Sequence, residues 1–122
     1  MNFPKLVNEI AEVDKAIRFI SIVDKEGREI ANNVSTNAFL LKQKSQQQTL
    51  GFDMLILKEL FDLYDEVLGA QSFAHLVRKR VHVLLYYVKD LIVVVSCERT
   101  TSYHKIVGIV KRINQIIEKH IA

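Results

Sequence analysis

Hydrophobic positions along this chain fall into two kinds of segment: long stretches with an apolar stripe, and short runs with no polar side at all. Leu91-Ile92-Val93-Val94-Val95, followed by Ser96-Cys97, is the clearest run of the second kind. Consecutive apolar residues, mostly β-branched, leave no polar face at either side-chain period. So short a run is expected to be a strand covered on both sides. Such a strand belongs at the centre of a sheet, with helices or a partner above and below.

The other elements follow from spacing. Phe3, Leu6, Val7, Ile10 and Val13 recur at helical intervals. Asn2 is placed to cap that helix, and Pro4 sits in its first turn, where a missing N–H costs little. Residues 16–23 are dense in β-branched and aromatic side chains and predict a largely buried strand. Asp24-Lys25-Glu26-Gly27 predicts a turn with Gly27 in a left-handed conformation. Residues 28 to about 33 return as a shorter, more polar edge strand. Residues 35–48 carry no period and are expected to form a loop that enters a helix near Ser45.

That helix should run to Leu68, with Gly69 as its stop. Leu50, Met54, Leu57, Phe61, Tyr64 and Leu68 form one apolar stripe on it. Phe52, Ile56, Leu60, Leu63 and Val67 form a second beside the first. Together they span roughly 200° of the circumference, about twice what packing on one core requires. Lys58, Glu59, Asp62, Asp65 and Glu66 occupy the remaining face, expected to be solvated. Three more strands are read at 72–77, 81–87 and 91–97, with turns at Arg78-Lys79-Arg80 and Val88-Lys89-Asp90. After a capping segment at 98–102, a last helix should bury Tyr103, Ile106, Val107, Ile109, Val110, Ile113, Ile116 and Ile117. The expected order is therefore αββαβββα, an α+β fold forming a single domain over residues 1–122. Hairpins between neighbours give a five-stranded antiparallel sheet of order 2-1-5-4-3, sandwiched by helices.

Composition narrows the classes. With 122 residues, 49% of them hydrophobic and 25% charged, the chain is ordinary for a globular protein. No apolar run approaches the ~20 residues of a membrane span. The N-terminal residues have no secretory pattern. A single cysteine excludes an internal disulfide and a cysteine metal cluster. The expected location is the cytoplasm. Charge is unevenly spread: residues 1–69 hold eight Lys/Arg and eleven Asp/Glu, and residues 70–122 hold nine and three. Such asymmetry bears on partners rather than on fold.

No catalytic chemistry is legible. The four glycines are isolated, none precedes Lys-Ser/Thr, and no nucleophile-elbow, His-Glu-x-x-His or Cys-x-x-Cys motif occurs. Cys97 reads as a small apolar filler. His75 and His82 are expected to face one another across adjacent strands, but without a third ligand they make no metal site. His120 is accounted for by the helix dipole and its surface position. Arg78, Lys79, Arg80, Lys105 and Arg112 form the candidate partner surface. A net charge of +3 and the lack of a nucleic-acid motif argue against nucleic acid as that partner. No cofactor or metal is expected.

Residues 17–23 with Asp24-Lys25-Glu26-Gly27-Arg28-Glu29-Ile30, the long middle helix, and residues 81–97 with the final helix together resemble the Roadblock/dynein light chain family. The likeness spans about residues 3–121, and extends more loosely to profilin-like and PAS-like folds and to archaeal proteins of the same layout. Residues 32–48 are longer than the compact family pattern. The resemblance implies a non-catalytic homodimeric scaffold or regulator of a small GTPase or signalling assembly. It implies an interface made from paired middle helices and joined third strands, which places Phe52, Ile56, Leu60, Leu63, Val67, Phe73, His75 and Val77 at that interface. The alternative is a PAS-like small-molecule sensor. It would gather its helices on one face and keep a cavity of about 300 Å³ or more between helix and sheet.

Overall fold

The computed structural model describes residues 2–34 and 44–121, and within the second helix the side chains from Gly51 onward. The expectation of a loop at 35–43 lies outside the described residues. The elements are α1 (Phe3–Ala11), β1 (Ile17–Val23), β2 (Glu29–Val34), α2 (Lys44–Asp62), α3 (Asp65–Leu68), β3 (Phe73–Val77), β4 (Val81–Val88), β5 (Leu91–Glu98) and α4 (Tyr103–Ile121). The strands form one antiparallel sheet in the order β2-β1-β5-β4-β3, as the pattern predicted.

Local chemistry sets the element ends. The Asn2 side chain accepts from the Lys5 N–H at 3.1 Å, with Pro4 in the first turn. Ser102 caps α4 through the Lys105 N–H at 3.2 Å. Asp24 Oδ1 accepts from the N–H groups of Glu26 and Arg28 and closes the β1–β2 turn.

β5 is central, and Ile92–Val95 are each at most 3% exposed. Side chains alternate between two layers. Val93, Val95 and Cys97 join Ile17, Ile20, Ile22, Leu84 and Tyr86 beneath α1 and α4, which contribute Leu6, Val7, Ile10, Ile106, Ile109, Ile113 and Ile117. Ile92 and Val94 join Val23 and Leu85 beneath Met54 and Leu57 of α2. The first of the two stripes is therefore the one that covers the sheet.

Two glycines set how closely α2 can approach. Gly27 has a φ of +82°, and a Cβ there would lie 2.9 Å from the Phe52 Cα. A Cβ on Gly51 would run into the Gly27 carbonyl oxygen and lie 3.1 Å from Val23 Cγ1. The β1–β2 turn and α2 thus meet backbone to backbone, with no room for a side chain.

Two expectations are corrected. The middle helix does not run unbroken to Leu68. Tyr64 takes φ −100°, ψ 5°, its N–H bonds back to Phe61 O at 3.1 Å, and only a single turn follows as α3. Gln71 meets the end of α2, its Nε2 donating to Lys58 O at 3.1 Å and to Asp62 Oδ1 at 3.0 Å. Gly69 still terminates the segment, at φ +83°. In α4, Tyr103 and Val107 are exposed rather than buried, because the sheet receives the narrower stripe Ile106, Ile109, Ile113, Ile117 and Ile121.

Gly51→Ala should destabilise the fold by about 1–3 kcal/mol through overpacking at the glycine crossing. Gly108→Ala, on an α4 face where an added Cβ meets nothing within 4 Å, should instead stabilise it by about 0.5–1 kcal/mol. Parallel urea titrations check both; equal effects would refute the assignment of the crossing as the tight contact.

Candidate interaction surface

The stripe left over after α2 covers the sheet is the most distinctive surface of the molecule. Phe52, Ile56, Leu60, Leu63 and Val67 face solvent, with exposures from 48% at Ile56 to 84% at Val67. Phe61, Tyr64 and Leu68 add to it, so the C-terminal part of the first stripe also misses the sheet. An exposed run of apolar side chains of this kind is unusual on a monomer.

The polar face of α2 is divided, which corrects the expectation that it is uniformly solvated. Lys58 and Asp62 are only partly exposed and pair at 2.7 Å. The Lys58 ammonium also lies 5.9 Å from the centre of the Tyr87 ring on β4. Asp62 is held below the usual carboxylate range, first by the Lys58 hydrogen bond and further by the Gln71 amide, against a smaller opposing effect of burial. Glu59 and Glu66 do face solvent.

Among the described residues β3 forms one edge of the sheet and pairs with β4 alone. Phe73 and Val77 are exposed, and so is Leu76. The structure does not place all the expected interface residues on one face. Phe73 and His75 lie on the α4 side: Phe73 stacks at 5.0 Å on Tyr86, and His75 meets the Tyr103 ring at 6.3 Å. Val77, two residues further along β3, shares that side. Ala74 packs on the α2 side with Leu85 and Met54. The α2 stripe and the Phe73–His75–Val77 face are therefore on opposite sides of the sheet, joined only through the β3 edge.

His75 and His82 do meet. His75 Nε2 lies 2.9 Å from His82 Nδ1, and His82 Nε2 lies 3.1 Å from Thr101 O. His82 is fully buried, with the Tyr103 ring edge-on to it at 5.7 Å. Burial, and then the charge His82 would carry, hold His75 below the ordinary histidine value. Among the described residues no three His, Cys, Asp or Glu side chains gather as a metal ion would require. The buried Cys97 thiol is pushed up to about 12, chiefly by burial, so it carries no thiolate.

Two further sequence readings change. His120 is not merely a surface residue: its Nε2 lies 2.9 Å from Glu9 Oε2 and ties the end of α4 to α1. Among the basic candidates, Arg78, Lys79 and Arg80 form the exposed β3–β4 turn and Arg112 is exposed on α4. Lys105 instead pairs with Asp14 at 3.4 Å, at the α1–β1 junction. A cavity of about 420 Å³ opens beside Ala11, Asp14, Lys15, Ile17, Arg18, Ile20 and Asn33, not between α2 and the sheet. Among the described residues no helix is long and apolar enough to cross a membrane.

No family model and no curated protein matches the chain. Solved structures do. The gliding protein MglB of Thermus thermophilus superposes with a TM-score of 0.76 at 13% identity, covering 96% of this chain and 86% of that one. A Roadblock/LC7 domain from Streptomyces avermitilis gives 0.71 at 6% identity, with 98% of each chain covered. An MglB structure described as a tetrameric arrangement gives 0.65 at 16% identity, covering 94% of this chain and 87% of that one. The chain thus has the Roadblock/LC7 fold, as the sequence pattern suggested.

The Asp62 carboxyl is ionised more readily in the folded chain than in the unfolded one. Its contribution to stability is present above about pH 4 and is lost as pH falls through the lowered folded value. Asp62→Asn should flatten the acid limb of the stability curve; an unchanged slope below about pH 4 in denaturant titrations would refute this.

Proposed function

We propose that the chain is a non-catalytic, self-associating interaction module of Roadblock type, its exposed α2–α3 stripe covered by a second copy. The observation that carries this reading is the stripe itself: Phe52, Ile56, Leu60, Leu63 and Val67 recur at helical spacing, and none of them is buried by the described residues. The open β3 edge adds unpaired backbone groups beside it. A pairing on the usual scale of about 1,600 Å² would cover the stripe. Assembly of a fold relative as a tetrameric arrangement supports self-association as a habit of this architecture. We further assign the module a scaffolding or regulatory role toward a small GTPase or a comparable protein partner, on the strength of the Roadblock resemblance. The basic turn Arg78-Lys79-Arg80 with Arg112 is the candidate surface for that partner.

The PAS-like reading has less support. Its helices should gather on one face, yet α1 and α4 lie opposite α2, and the cavity lies at the α1–β1 margin.

Light scattering after gel filtration at micromolar concentration should give twice the monomer mass. Leu63→Asp, at a position 78% exposed within the single chain, should give a folded monomer by the same measurement. A strictly monomeric wild type, or a variant that remains dimeric, would overturn the reading.

A further inference from the structure

We propose that the His75–His82–Thr101 chain is a proton-sensitive latch, closed at neutral pH and opened in acid, that ties the edge strand β3 to the start of α4. Hydrogen-bonding roles in the chain are forced. Thr101 O can only accept, so His82 Nε2, 3.1 Å away, carries a hydrogen. The neutral His82 ring then presents a lone pair at Nδ1, and His75 Nε2, at 2.9 Å, donates into it. One proton from solvent is accommodated on His75 Nδ1 with both bonds intact. A second would have to sit on His82 Nδ1, where two N–H groups on two positive rings would face each other across 2.9 Å. The closed latch therefore holds at most one proton, and the open one holds two.

The surroundings do not offset that charge. On β5, Cys97 lies across from His82 as a neutral buried thiol, and Glu98 lies across from Val81, paired with Arg18. On α4, Tyr103 packs edge-on and His104 follows it, exposed; Arg99 stands in the connection before them. Asp14, from the α1–β1 connection, is paired with Lys105. The turn Arg78-Lys79-Arg80 ends the hairpin that carries both histidines. Among the described residues neither imidazole pairs with a carboxylate.

The sign follows from linkage. The open state binds more protons, so closure is fully favoured above the ordinary histidine value of 6.5 and is lost as pH falls below it. The lowered affinity of His75 for protons, caused first by burial, agrees in direction. Opening removes the side-chain tie on a strand that, among the described residues, is otherwise held through its ladder to β4. Resting on the self-association reading, protons then weaken the assembly at its β3 edge.

The test uses the full chain with ¹⁵N-labelled histidine, followed between pH 7.5 and 5.0 by ring spectra and by sedimentation. The His82 Nε2–H tautomer is expected at pH 7.5. His75 should take the first proton with the His82 tautomer unchanged, and His82 should become doubly protonated only as the association weakens, with the self-association Kd rising about tenfold or more by pH 5.0. His75→Gln keeps an amide donor for His82 Nδ1 and cannot titrate; its Kd should change less than about threefold over the same range. Two imidazoles titrating independently near 6.5 would overturn the latch, as would a wild-type pH dependence equal to that of His75→Gln. Loss of circular-dichroism signal at pH 5.0 would also overturn it, because the strand would then open by global unfolding. A chain monomeric at both pH values removes the self-association reading alone, and the ring spectra then decide the latch.

Discussion

A strand with no polar side determines everything around it. Ile92–Val95 need a strand on each edge and an apolar layer on each face, and all four sides are filled within the chain. β1 and β4 pair along nearly the full length of β5. Two helices, α1 and α4, cover one face, and among the described residues α2 covers the other. Fully burying a side chain of this size is worth about 1.5–3 kcal/mol, so leaving either face wet would forfeit a large fraction of the stability of a small fold. α2 is therefore committed to the sheet by its inner stripe, Met54 and Leu57. Its second stripe is not covered by any of the described residues.

How α2 is held decides how that surplus is displayed. Near its start the helix touches the β1–β2 turn through Gly27 and Gly51, a contact whose distance is fixed by backbone atoms. At its end the restraint is polar: Lys58, Asp62 and Gln71 hydrogen-bond to one another, and Lys58 lies against Tyr87. Neither restraint uses the outer stripe. α2 is thus held at Gly51 and at its last turn by groups other than those of its outer stripe, which leaves Phe52, Ile56 and Leu60 exposed.

Much of this was legible because period and composition report burial directly. The double burial of β5, the strand order and the surplus stripe on α2 all follow from counting apolar positions. The misses have a common cause: they depend on what a residue meets far away in sequence. Nothing in the apolar period through Val67 and Leu68 signals the break at Tyr64, which accompanies the contact of Gln71 with the end of α2. Lys58 and Asp62 looked solvated because a wheel cannot tell a polar face over Tyr87 from one over water. Tyr103 and Val107 fit an apolar arc on α4 wider than the sheet can receive. The Glu9–His120 pair joins residues 111 apart, and no local signal announces it. The interface candidates on β3 came with the family resemblance, and strand alternation places Phe73 and His75 on the face opposite the α2 stripe.

The two edges of the sheet are unlike, and this limits the assemblies that the module can form. On β2, Glu29 binds Ser21 and Asn32, and Asn33 binds Asn8 of α1, so several polar side chains there are committed to intrachain partners, with Ile30 and Val34 exposed among them. β3 carries apolar residues on both of its faces and lies beside the end of the α2–α3 stripe. Polar edges resist strand addition, and apolar ones invite it. If both edges were open, copies would add one after another into an extended sheet. In the proposed self-association, pairing through β3 of both copies is a contact between identical surfaces, and such a contact closes at two copies. That proposed pair would cover the surplus stripe of α2 and the β3 edge together, which is what each of the two surfaces separately requires.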